Sequence, residues 1–227
     1  MSLTWPANFQ TGIFNLQRTL LLFSLLVVVW ITTSHRAWAD DTLQIVALGD
    51  SLVAGYGLAN SEGFVPQLQS ALTADGHDVE IINAGVSGDT TAAGLSRIDW
   101  SVGDEADAVL LELGGNDALR GIDPAQSRAN LDAMLTRLNE RGLPTLLVGM
   151  RAPANLGEHY AEAFNSIYPD LAEKHGVALY PYFYEGATDD PADAQADGIH
   201  PSAAGVEVIV ENMLPAVVAL IEAAKTD

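Results

Sequence analysis

Leu43–Leu52 reads LQIVALGDSL, and the fold follows from how this stretch is read. LQIVAL is a short apolar run rich in strand formers, and it stops at Gly49. Gly49-Asp50-Ser51-Leu52 then sits where a strand hands over to a helix. Runs of the same kind recur at Val79–Ile82 (VEII), Ala108–Leu113 (AVLLEL), Thr145–Val148 (TLLV) and Val177–Tyr180. Helical patterns lie between them. Phe64–Leu72 has Phe64, Val65, Leu68, Ala71 and Leu72 at helical spacing and stops at Gly76; Thr90–Trp100 is also read as a helix. Pro124–Arg141 starts on a proline, carries Leu131, Met134, Leu135 and Leu138 on one face and ends at Gly142. Glu158–His175 is predicted as a helix broken or bent near Pro169, and Ser202–Ala224 as a terminal helix that Pro215 kinks. Asp189–Asp197 is an acidic loop. Strands alternating with helices predict a five-stranded parallel sheet covered on both faces, a three-layer α/β/α sandwich.

Composition narrows the function. The 227 residues hold 30 acidic against 10 basic side chains, a net charge of −20. That charge repels a polyanion, so nucleic acid is excluded as a partner. The absence of cysteine removes disulfides, thiolate nucleophiles and cysteine-ligated metals. Neither G-x-G-x-x-G nor a P-loop follows the first strand, and there is no H-E-x-x-H. Asp189, Asp190, Asp193 and Asp197 cluster without matching an EF-hand loop, so no metal and no cofactor are expected.

Residues 1–39 contain no Asp or Glu. Arg18 precedes the twelve-residue run Leu20–Ile31 (LLLFSLLVVVWI), and Ala37-Trp38-Ala39 follows. This is the pattern of a secretory signal cleaved after Ala39. Twelve helical residues reach about 18 Å, short of a hydrocarbon core of about 30 Å. The expectation is therefore a periplasmic or secreted domain, residues 40–227, without a stable membrane span; the rival is an uncleaved anchor. Cleavage leaves 8 basic and 30 acidic residues, a charge of −22.

In open parallel sheets ligands bind beyond the carboxyl ends of the strands. Four segments stand there: Gly49-Asp50-Ser51-Leu52, Asn83–Asp89, Gly114-Gly115-Asn116-Asp117 and Asp197-Gly198-Ile199-His200-Pro201. They supply a hydroxyl, backbone donors, an amide, an imidazole and a carboxylate, the inventory for acyl transfer through a serine. Ser51 is the candidate nucleophile; its rival role is a helix N-cap. His200 is the candidate base, and Asp197, three residues earlier, can hold its Nδ1. Gly88 and Asn116 are candidate oxyanion donors beside the Ser51 amide, with ordinary turn chemistry as the rival role. Asp50 and Asp89 are read as local acceptors that shape the turns. Leu119, Leu156 and Tyr160 are candidate acyl contacts.

In this order, GDSLVAGYG, NAGVSGDTTAAGLSR, LELGGNDALRG and DGIHP closely resemble the SGNH or GDSL hydrolase family. More narrowly, the chain is similar to its bacterial exported acyl-thioesterase, arylesterase and lysophospholipase group. RAPANLGEHYAEAFNSIYP resembles that group's fourth loop, and the likeness covers Thr42–Ala224. The resemblance implies a flavodoxin-like strand order 2-1-3-4-5. It also implies a Ser51-His200-Asp197 triad, with Ser51, Gly88 and Asn116 as the oxyanion hole. The expected activity is hydrolysis of small-molecule carboxylic esters and thioesters, lysophospholipids among the candidates, by a monomer without a cofactor. The rivals are a carbohydrate O-deacetylase on the same scaffold and a non-catalytic flavodoxin-like binding module.

Overall fold

In the computed structural model, which describes residues 42–187 and 191–226, β1 (Leu43–Gly49) carries a parallel neighbour on each side. With β2 (Val79–Gly85), β3 (Ala108–Glu112), β4 (Thr145–Val148) and β5 (Ala178–Tyr180) it forms one sheet in the order β2-β1-β3-β4-β5. All four pairings are parallel. Every residue of β3 and β4 is buried, which is why they read as continuous apolar runs. The predicted signal segment lies outside the described residues, as do Asp189 and Asp190.

Eight helices are present among the described residues: α1 (Ser51–Ala54), α2 (Phe64–Ala74), α3 (Thr91–Ser101), α4 (Gly115–Leu119), α5 (Pro124–Glu140), α6 (Glu158–Asn165), α7 (Ile167–His175) and α8 (Ala203–Ala224). α2 packs on α8 to form one outer layer, while α3, α5 and α7 pack in series to form the other. Thr90 caps α3 and Ser202 caps α8, each accepting a backbone N–H three residues on. By length and composition α8 is apolar enough to cross a bilayer. Here its stripe of Val206, Ile209, Val210, Met213, Val217, Leu220 and Ile221 is buried, and the helix packs on α2 and the sheet.

Two local expectations need correction. The predicted helix Glu158–His175 is two helices, and the break falls at Ser166 rather than at Pro169. Pro169 stands in the first turn of α7, where a backbone N–H has no intrahelical partner to lose. Pro215 lies inside α8, which continues through it to Ala224. It lies on the exposed side, so the carbonyl it leaves unpaired faces solvent. Among its described residues the acidic loop contains a 3-10 turn at Pro191–Asp193.

The carboxyl ends of β1 and β2 are in register at Gly49 and Gly85. α1 lies so close to β2 that a Cβ on Gly85 would stand 2.3 Å from the Ala54 backbone nitrogen. No side-chain rotation relieves a clash with backbone. Gly85→Ala is expected to cost about 1–3 kcal/mol, the range for overpacking a tight site, read as a lower urea midpoint at unchanged slope.

Candidate active site

Asp50 leaves β1 and caps α1, its Oδ1 accepting the Leu52 N–H at 3.0 Å. The capping role weighed for Ser51 thus belongs to Asp50, and Ser51 occupies the first helical position with its hydroxyl free for other work. Ser51 Oγ lies 2.9 Å from His200 Nε2, and His200 Nδ1 lies 2.6 Å from Asp197 Oδ2. The structure therefore brings together three side chains that are up to 149 positions apart in the chain.

Asp197 is fixed by its own loop: Oδ1 accepts the Ile199 and His200 N–H groups at 2.9 and 3.0 Å. The His200 contact, with help from these amides, holds the Asp197 carboxyl down to about 2 against an ordinary 3.8. A carboxylate only accepts, so Nδ1 carries the imidazole proton and Nε2 faces the Ser51 hydroxyl as acceptor. The Tyr56 ring lies against the imidazole, 4.6 Å between centroids. Gln195 Nε2 donates to the carbonyls of Tyr56 and Pro201 at 2.8 and 3.0 Å, and its N–H donates to the His200 carbonyl at 2.8 Å. One glutamine therefore ties the histidine segment to the chain that follows α1.

Gly88 sits in the loop after β2 with φ +87°, a region that favours glycine. Its carbonyl accepts Arg120 Nη2 at 2.8 Å, and no carbonyl of the described residues takes its N–H. Arg97 holds the same loop. Its Nε meets Asp89 Oδ2 at 2.6 Å, and its Nη2 donates to the Gly49 carbonyl at 2.9 Å. Asn116 follows Gly114, whose φ of +119° and contact with Tyr168 leave no room for a side chain. Asn116 Nδ2 donates to Asp50 Oδ2 at 2.9 Å, which engages one of its two amide protons. The Ser51 N–H, at the start of α1, has no partner inside that helix.

A cavity of about 530 Å³ opens beside Ser51. Asn116, Leu119, Met150, Ala152, Pro153, Tyr182, Tyr184, Ile199 and His200 line it. Volume and lining suit an apolar chain with its polar end at the serine. Leu119 is a wall of this cavity; Leu156, Tyr160 and Gly88 lie outside its lining. Tyr160 is occupied elsewhere: its ring stacks on Phe164 and its hydroxyl donates to the Ile122 carbonyl at 2.7 Å. Met150, Tyr182, Tyr184 and Ile199 were not singled out from the sequence. Nor were Arg97, Arg120, Gln195 and Tyr56, whose contacts only the folded chain creates.

Fold and site together define a three-layer α/β/α hydrolase with its polar site at the carboxyl edge of a parallel sheet. The chain belongs to the GDSL-like lipase/acylhydrolase family, whose model matches residues 47–208. It is 42% identical over 199 residues to the esterase TesA of Pseudomonas aeruginosa, covering 87% of this chain and 96% of that one. It is 40% identical over 189 residues to thioesterase 1/protease 1/lysophospholipase L1 of Escherichia coli, covering 83% and 86%. The crystal structure of AlinE4, an SGNH-hydrolase family esterase, superposes with a TM-score of 0.67 at 49% identity, covering 78% of this chain and 96% of that one.

The lowered Asp197 carboxyl has a measurable signature. A depressed folded-state value means the imidazole contact is intact above the ordinary carboxylate range and is lost only as pH falls through about 2. Carboxyl carbon shifts followed by NMR are expected to show no Asp197 step near the ordinary 3.8.

Proposed function

We propose that this protein hydrolyses carboxylic esters and thioesters through an acyl-enzyme on Ser51. The observation that carries the reading is the continuous contact from Ser51 Oγ through the His200 ring to Asp197. His200 Nε2 takes the Ser51 proton as Oγ bonds to the substrate carbonyl carbon. The carbonyl electron pair moves onto oxygen, where the N–H groups of Ser51 and Gly88 and the second Asn116 amide proton receive it. Asp197 stabilises the imidazolium. Collapse breaks the bond to the leaving group, which departs as an alcohol with the imidazolium proton or as a thiol. Water, deprotonated by His200, then attacks the acyl carbon and releases the acid with Ser51 restored. The names of the two relatives, an esterase and a thioesterase/lysophospholipase, support this substrate class. The apolar cavity favours an acyl chain longer than acetyl, which argues against the deacetylase alternative.

Ser51→Ala is expected to lower kcat on a nitrophenyl acyl ester by about 10⁴-fold or more and to abolish labelling by a fluorophosphonate. Undiminished activity in that variant overturns the mechanism. Asn116→Ala is expected to lower kcat by about 10²–10³-fold with KM little changed, because its amide acts on charge present only in the transition state.

We further propose that residues 1–39 direct export and are removed after Ala39, placing the domain in the periplasm or outside the cell. The acid-free n-region, the Leu20–Ile31 run and the Ala37-Trp38-Ala39 motif support this. Amino-terminal sequencing of the exported protein is expected to begin at Asp40; a chain that keeps Met1–Ala39 overturns it.

A further inference from the structure

Beneath the site, a carboxyl group is sealed from solvent. Glu112, the last residue of β3, is 0% exposed. Its Oε2 receives the Asp50 N–H at a long 3.3 Å, and its Oε1 has no hydrogen-bond partner among the described residues. An ionised carboxylate in this place would keep one weak donor, an arrangement that buried charges do not tolerate. Its neighbour Asp50 is 2% exposed but well supplied: Leu52 N–H serves Oδ1 and Asn116 Nδ2 serves Oδ2. The donors are divided so that Asp50 can carry a negative charge and Glu112 cannot.

We infer that Glu112 is kept as the neutral acid, sharing its proton with the Asp50 carboxylate, and that this buried pair positions the Asn116 amide for the oxyanion. Burial pushes Glu112 well above the ordinary carboxyl range, and the adjacent Asp50 charge raises it further. Burial also leaves Asp50 raised, but its Leu52 and Asn116 donors and the nearby His200 oppose the shift, whereas Glu112 is raised well above the ordinary range. The other ionisable groups around the pair are Asp89, which adds to the negative field at Asp50, and Tyr168 and Tyr184, whose phenols are pushed up by burial.

The arrangement has a consequence for catalysis. Two ionised carboxylates under the oxyanion hole would repel the charge that forms there. With one proton between them the pair holds a single charge, and that charge fixes one Asn116 N–H while the second remains for the substrate oxygen. Glu112 touches no substrate; it is a positioning residue that acts through Asp50 and Asn116. The inference rests on Asn116 as an oxyanion donor.

The test compares Glu112→Gln, which keeps a neutral donor, with Glu112→Leu, which removes it. Infrared difference spectra at pH 7 are expected to show a protonated carboxylic acid band in the parent enzyme that is absent from Glu112→Gln. Glu112→Gln is expected to keep kcat within about threefold across the pH profile, while Glu112→Leu loses roughly tenfold to hundredfold in kcat with KM within about twofold. No acid band in the parent, a band that persists in Glu112→Gln, or a Glu112→Gln enzyme as impaired as Glu112→Leu overturns the inference. Should Glu112→Leu fail to fold, the Gln variant and the infrared band decide alone. Undiminished kcat in Asn116→Ala overturns the oxyanion reading and the positioning step with it, whereas the band still reports where the proton resides.

Discussion

The arrangement of the site depends on how the chain turns at the end of β1, and Asp50 governs that turn. Its two carboxylate oxygens are bound in different directions, one to the start of α1 and one to the Asn116 amide beyond β3. The first contact sets where the Ser51 hydroxyl leaves the helix. The second sets the face of the amide that looks across the opening. Arg97 completes the fastening from the β2 side by gripping the Gly49 carbonyl. Three adjacent strand ends are thereby joined through polar contacts that water reaches poorly, where hydrogen bonds hold geometry most firmly.

This junction sits at β1 for a topological reason. β1 has β2 on one side and β3 on the other, and the helices that follow β1 and β2 lie on opposite faces of the sheet. The connecting chains part there and leave a crevice at the carboxyl edge. The last long segment, before α8, crosses this crevice and lowers His200 onto Ser51. The proposed chemistry therefore draws on four separate stretches of chain, and a stiff sheet is what keeps them in register.

Much of this was legible before folding was considered. β3 and β4 announced themselves because strands buried on both faces must be apolar throughout, and the remaining strands by shorter apolar runs ahead of turn residues. The triad candidates stood out because chemically useful side chains followed strand ends. The cavity walls were less legible. Met150, Tyr182, Tyr184 and Ile199 come from segments whose convergence no local pattern encodes, while Tyr160, an aromatic in the right region, is turned to the Ile122 carbonyl instead. The break at Ser166 escaped because a proline nearby offered a stronger local cue, and that proline proves harmless in a first helical turn. Glu112 was visible as an acid inside the apolar run AVLLEL, but nothing in the linear pattern shows that Asp50 is its neighbour.

The bracket that Gln195 builds makes the imidazole and the hydroxyl parts of one mechanical unit. The glutamine side chain grips the Tyr56 carbonyl after α1 and the Pro201 carbonyl beside the histidine at the same time, so each wall of the cleft is held to the other. A displacement of either wall therefore drags its counterpart along, and the gap between ring and hydroxyl is governed by a single side chain rather than by two loops moving independently.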